Sequence, residues 1–254
     1  QSSPMTTGPI NPNQVRSNGE ESLIVNDLPR RCAYMVDKSV SEDSLATELF
    51  PQFGTDLYRM ISTEVEGLTE SQLDFQSDRW EWSKWSIRRN LSHMASGDFR
   101  WFLIRWGREH FDYRLPEVED LDSLISSRYD RRLDEDKYWD IDSIMGKLRD
   151  GFAICWSILC RETAGSLRRK EIEVGNSGLF TLYPELYSDG LRRDSVDASH
   201  VYVTLEATFR HRYYEHITHL YNIQRLKRAQ GLDAKVELPF EGYWAVSDWD
   251  RSEP

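Results

Sequence analysis

Three of the chain's six histidines fall within nine residues, in the run Arg210-His211-Arg212-Tyr213-Tyr214-Glu215-His216-Ile217-Thr218-His219. Imidazoles and carboxylates are the side chains that hold divalent ions such as zinc, nickel, manganese and iron. On an α-helix, residues four apart stack on one face. Glu215 and His219 can therefore offer an oxygen and a nitrogen to a single ion. His211 continues the same row one turn earlier. His216 and His219, three apart, form a competing pair at another rotation.

Metal sites inside helical bundles take ligands from facing helices. The candidate partner is His93, set between Leu91 and Met94 beside an apolar stripe. Two imidazoles and one carboxylate leave coordination positions open, and an open position polarises a bound water or thiol. A plainer account stands beside this one. A histidine next to an apolar stripe is commonly a hydrogen-bonded core residue, and a Glu-x-x-x-His pair is commonly a surface pair.

Other residues near these positions have both readings. Trp80, Trp82 and Trp85 could wall a pocket or pack the core. Asp98 could orient a ligand or a water. Tyr213 or Tyr214 could donate to a substrate oxygen. Arg192 and Arg193 could grip a carboxylate of a thiol cofactor or be solvated charge. The chain carries no Gly-rich phosphate loop, no Cys-x-x-Cys pair and no G-x-S-x-G elbow.

Four amphipathic patterns must position these groups. Leu45, Leu49, Phe53, Leu57, Met60, Ile61 and Val65 recur at steps of three and four within 42–68, with Pro51 marking a restart. The second pattern runs from Ser86, a good N-cap, to about His110. The third covers about 141–164. The fourth runs from about Ser195 to Gln230, with Gly231 as its stop. Residues 112–138 read as a long loop with one short helix. Residues 165–193 read as a second excursion, in which Leu179–Tyr183 could pair as a strand. Residues 1–40, rich in Ser, Pro, Asn, Gln and Gly, read as an extended arm. The tail 232–254, with Trp244 and Trp249, is expected to pack back on the body. The fold class expected is all-α: a four-helix up-down bundle over 41–231, with long loops and extended terminal segments.

Composition narrows the function. Hydrophobic residues are 39% of 254, enough to build a core, and the net charge of -11 argues against a nucleic-acid binder. No apolar run approaches the ~20 residues that span a bilayer, so no membrane partner is expected. Three cysteines, an odd number without framework spacing, suggest a reducing compartment, hence the cytoplasm. Cys155 and Cys160 read as small core fillers. No basic segment followed by an apolar one suggests a signal peptide, and the start at Gln1 reads as a processed or appended end.

Three segments resemble the DinB/YfiT-like metalloproteins. Trp85-Ser86-Ile87-Arg88-Arg89-Asn90-Leu91-Ser92-His93-Met94 resembles the "W-S-I … L-x-H" that opens their second helix. Leu68-Thr69-Glu70-Ser71-Gln72-Leu73-Asp74-Phe75 resembles the "L-T-E-E-Q-L-D-W" linker before it. His219-Leu220-Tyr221-Asn222-Ile223 resembles the "H-x-x-Q-I" that follows the last ligand. Order and spacing agree over about residues 45–230.

The resemblance implies a bundle whose metal is held by His93, by His219 and by the residue four before it. Most members carry histidine there. This chain has Glu215, as does the mycothiol-dependent maleylpyruvate isomerase branch, and His216 is the competing third ligand. It further implies zinc first among divalent ions, with nickel, manganese or iron as alternatives. A low-molecular-weight thiol is a candidate cofactor, and a small molecule the substrate. Members perform thiol transfer, isomerisation through a thiol adduct, or amide hydrolysis. A homodimer is one expected state. The alternative function is a non-catalytic helical bundle with a structural or vestigial metal site, acting as a protein-interaction module.

Overall fold

Ser86 opens the helix that carries His93: its hydroxyl accepts the Arg89 N–H at 3.2 Å, as an N-cap should. The computed structural model describes residues 40–125, 127–175 and 179–254, so residues 1–39 of the expected arm, with Cys32, lie outside the described residues. Four long helices dominate: α1 (Asp56–Val65), α2 (Ile87–Phe99), α3 (Ile141–Leu159) and α4 (Leu205–Arg228). Asp140 caps α3 by accepting the Ser143 N–H at 2.8 Å, and Thr204 caps α4 by accepting that of Ala207 at 3.1 Å.

The first pattern is broken where Pro51 predicts. A short helix, Ala46–Leu49, gives way to a 3-10 turn at Pro51–Phe53, and α1 starts afresh at Asp56. At the far end of α4, Gly231 adopts φ +74, a left-handed value that suits glycine. The Leu232 N–H then reaches back to the Lys227 carbonyl and the Gly231 N–H to that of Arg228, closing the helix as a Schellman motif.

Helix α2 packs against both α3 and α4, and α1 also touches both. Their shared core contains Leu91, Met94, Phe99, Leu148, Cys155, Ile217 and Leu220, all fully buried. Phe209 of α4 gathers the rings of Phe50, Phe53 and Phe102 at 4.6 to 5.6 Å. Beyond Phe99 the second helix widens into a π-helical turn, Arg100–Arg105, in which the Trp106 N–H bonds the Trp101 carbonyl.

The chain is mostly helical, but it also holds a small antiparallel sheet, a departure from the all-α expectation. Strands β1 (Glu171–Gly175), β2 (Leu191–Arg193) and β3 (His200–Thr204) lie in the order β1-β3-β2, with Glu171 opposite Thr204 and Leu191 opposite Val203. The fourth helix therefore starts at Leu205 and not near Ser195. Residues 200–204 are rich in β-branched and aromatic side chains and bury alternate positions, Val201 and Val203, which is strand periodicity. The expected strand at Leu179–Tyr183 is instead part of a helix, Leu179–Leu186, and β1 pairs with β3. Within 112–138 one short α-helix, Leu121–Leu124, is found among the described residues.

The C-terminal residues run back along the helices. The Glu64 carboxylate accepts the Lys235 and Val236 N–H groups at 3.1 Å, and it also meets the Lys227 ammonium inside the protein. Trp82 donates to the Ser252 hydroxyl at 3.2 Å. Among the described residues no helix is long and apolar enough to cross a membrane. Cys155 is a buried free thiol as expected, whereas Cys160 is exposed and fills no core.

Candidate metal centre

His93 sits on the face of α2 that meets α4, and Glu215 and His219 lie one turn apart on the face of α4 that meets α2. The three side chains come together. One donor atom from each lies within 4.8 Å of the other two, forming a group that could hold a metal ion. Glu215 Oε2 stands 3.4 Å from His93 Nε2 and 3.6 Å from His219 Nε2. Donors 2.0–2.2 Å from a tetrahedral ion stand roughly 3.3–3.6 Å from one another, so these separations fit. His93 is buried, while the side chains of Glu215 and His219 keep 24% and 15% of their exposure, so the group is reachable from solvent.

The other nitrogen of each ring fixes where its proton sits. His93 Nδ1 lies 3.1 Å from the Arg131 carbonyl, which can only accept, so Nδ1 carries the hydrogen. His219 Nδ1 lies 2.8 Å from Asn90 Oδ1. The Asn90 amide nitrogen donates to the Ser86 and Trp85 carbonyls at 2.9 and 3.3 Å, which turns its oxygen toward His219. Both histidines thus donate through Nδ1 and present bare Nε2 lone pairs toward a carboxylate oxygen. Three electron-rich atoms facing one another are repulsive unless a proton or a cation lies between them. Burial, with the nearby charges of His219 and Arg212, drives the His93 pKa down to about 4 against the pull of Glu215, so a proton is disfavoured at neutral pH. The donor set therefore suits a divalent cation.

Local structure holds this set in place. Asp130 and Arg131 both adopt positive φ, +49 and +64, which is costly for residues with a Cβ. That turn carries the Arg131 carbonyl to His93. It is anchored to α2 by the Leu133 N–H, which donates 3.0 Å to the Ser92 hydroxyl. Trp85 lies nearly parallel to the His219 ring at 6.3 Å and 5.1 Å from that of His93, so the wall function considered for the tryptophans falls to it. Trp80 and Trp82 stack on one another instead.

The competing ligands are engaged elsewhere. His216 is fully buried with Nε2 3.2 Å from Asp98 Oδ1, and Arg212 Nε reaches the same oxygen at 2.8 Å. His211 Nδ1 pairs with the Tyr243 hydroxyl at 2.6 Å. Arg192 and Arg193 lie exposed on β2, where Arg192 meets Glu171 and Arg193 the Ala198 carbonyl. Tyr214 packs its ring against Tyr183 and Tyr243. Asn90 went unnoticed in the sequence, although it lies three residues before His93 on the same helix face. The Arg131 carbonyl left no sequence signal, since any residue supplies one.

Searches against protein-family models, curated proteins and solved structures return no match to this chain.

Proposed function

We propose that the protein is a metal-dependent enzyme of the DinB/YfiT-like kind, an up-down bundle of α1 to α4 that activates water or a thiol toward a small-molecule substrate in the cytoplasm. The observation that carries the reading is the pair of bare Nε2 atoms facing Glu215 while both Nδ1–H groups are bound to acceptors. Histidine ligands held by an outer acceptor are the usual arrangement around a protein-bound metal. The resemblance in the Trp85–Met94, Leu68–Phe75 and His219–Ile223 segments supports the same family.

His93, Glu215 and His219 hold the ion in this account, zinc foremost. When bound, it supplies Lewis-acid chemistry and lowers the pKa of a water or thiol in an open position. The remaining work belongs to the chain. Arg131 and Asn90 keep the two imidazoles in the tautomer that ligates. Glu215 contributes a negative charge, with Arg212 Nη1 4.0 Å away to balance it. Trp85 covers one side and excludes water there.

Cobalt substitution tests this reading. Untagged protein loaded with cobalt should show d–d absorption that changes when a small thiol such as 2-mercaptoethanol is added, with a new sulfur charge-transfer band. A spectrum that ignores both thiol and pH would point to a closed, structural site. Failure to take up any metal would end the proposal.

A further inference from the structure

We propose that Arg100 and Arg105, backed by Arg131, form an anion-binding subsite beside the metal centre that takes the carboxylate or phosphate group of the substrate. The inference rests on the reading just given for the metal centre, and deepens it by naming a substrate class.

The π-helical turn is the first ground. Arg100 and Arg105 are its first and last residues, five apart, and a π-helix brings residues at that spacing to the same side. A regular α-helix would separate them around the axis. Single π turns recur at functional sites.

The second ground is charge without a partner. The chain's net charge is -11, yet no carboxylate pairs with Arg100 or Arg105 among the described residues. Arg100 gives Nη2 to the Ile125 carbonyl at 3.2 Å, while its Nε is buried with no hydrogen-bond partner. Arg105 lies 4.1 Å over the Trp101 ring, a stacking that orients a guanidinium and leaves its N–H edge open. Orphaned guanidinium N–H groups are donors made for a planar or tetrahedral oxyanion.

The third ground is position. Trp101 meets the His211 ring edge-on at 5.1 Å, and His211 is one helical turn from Glu215. Arg131, whose carbonyl holds His93, has an exposed side chain whose Nε lies 3.5 Å from the Asp130 carboxylate. The cations feel one another: after burial, the charges of Arg105, Arg131 and Arg212 lower the Arg100 pKa, offset in part by the Asp130 carboxylate, and those of Arg131 and Arg212 lower that of Arg105. Arg212 is buried, Arg100 half-buried, and Arg105 and Arg131 exposed, so the positive charge runs from the surface toward the metal ligands. Such an arrangement draws an anion inward and orients it.

Calorimetric titration of the full chain, zinc-loaded and metal-free, with succinate and with inorganic phosphate tests this. Binding is expected in the loaded protein, and whichever probe binds more tightly identifies the anion as carboxylate or phosphate. Arg100→Gln or Arg105→Gln should weaken it about tenfold or more at unchanged metal content. Arg105→Lys should keep part of the affinity, and Arg59→Gln, on α1, all of it. Anion binding that ignores the arginine substitutions overturns the inference, since the anion is then only a metal ligand. Failure of both probes at millimolar concentration overturns it too. Arginine-dependent binding in a protein that takes up no metal would uphold the subsite and reject the metal reading instead.

Discussion

Two histidine–carboxylate groups lie between α2 and α4, and they are built on opposite principles. At Asp98, the carboxylate meets both the His216 ring and the Arg212 guanidinium, and Arg212 also donates 3.1 Å to the Met94 carbonyl. At Glu215, the carboxylate meets two imidazoles whose protons point away, and the nearest guanidinium nitrogen is 4.0 Å off. The first group contains its own cation and is fully buried. The second has donors but no cation among them, and is partly open. The contrast teaches that histidine beside carboxylate is not by itself a metal signature; which ring nitrogen carries the proton decides. Space agrees with charge. A Cβ at Gly97 would strike the Arg212 guanidinium, and one at Gly151 would press on Asp98, so both glycines leave room for the buried pair.

If the first group is an internal ion pair, breaking it should have the largest effect. Asp98→Ala leaves Arg212 charged and buried without its carboxylate, which should cost about 3–5 kcal/mol of stability, read as a lower urea midpoint. A loss within 0.5 kcal/mol of zero, on the scale of surface substitutions, would show that the pair does not form.

The second group should respond to metal and not to the mutation alone. A ligand that binds only the folded state stabilises it by about 2.7 kcal/mol at a hundredfold excess over its dissociation constant. His219→Ala should lose that increment and leave the metal-free protein nearly as stable as before. Thermal melts with and without zinc separate the two. His110→Ala, in the exposed 3-10 turn Arg108–His110 beyond the second helix, should change neither.

Protons sharpen the comparison next. Burial lowers His93 from 6.5 to about 4 and His211 to about 3. The unfolded chain then binds more protons than the folded one between those values and 6.5. The metal-free protein should therefore be most stable above pH 6.5 and lose a few kcal/mol as the pH falls toward 4. Added zinc should push that loss to lower pH. A melting temperature flat from pH 7 to pH 4.5 would contradict burial of neutral imidazoles.

The smallest effect tests the outer acceptor. Asn90→Ala should barely alter metal-free stability, yet weaken metal binding about 10- to 100-fold, as loss of such partners does. Metal competition with a fluorescent chelator measures it. An unchanged affinity would mean that Asn90 plays no part in orienting His219.

Much of this was legible in the sequence. Ser86, Pro51 and Gly231 marked helix boundaries through simple backbone chemistry, and the three-and-four spacing placed Leu91 and Met94 inside. The stacking of Glu215 on His219 and their meeting with His93 followed from helical geometry plus the resemblance. What stayed hidden depends on tertiary partners. Strand β3 read as helix because its few residues merge into the α4 pattern, while β1 and β2 read as part of an irregular excursion. His216 looked like a rival to Glu215 until Asp98 claimed it from α2. The π-helical turn depends on a hydrogen-bond shift that no residue type announces, and the Arg131 carbonyl belongs to a loop whose course the sequence does not specify.

X-ray absorption at the zinc edge, on untagged protein with its metal content measured, bears most directly on the metal centre. One ion per chain is expected, with two imidazoles and one carboxylate oxygen at about 2.0–2.2 Å. The imidazole signal should drop from two to one in His93→Ala and in His219→Ala, and stay at two in His216→Ala. No bound metal, or an imidazole count that changes with His216 and not with His219, would contradict the site described here.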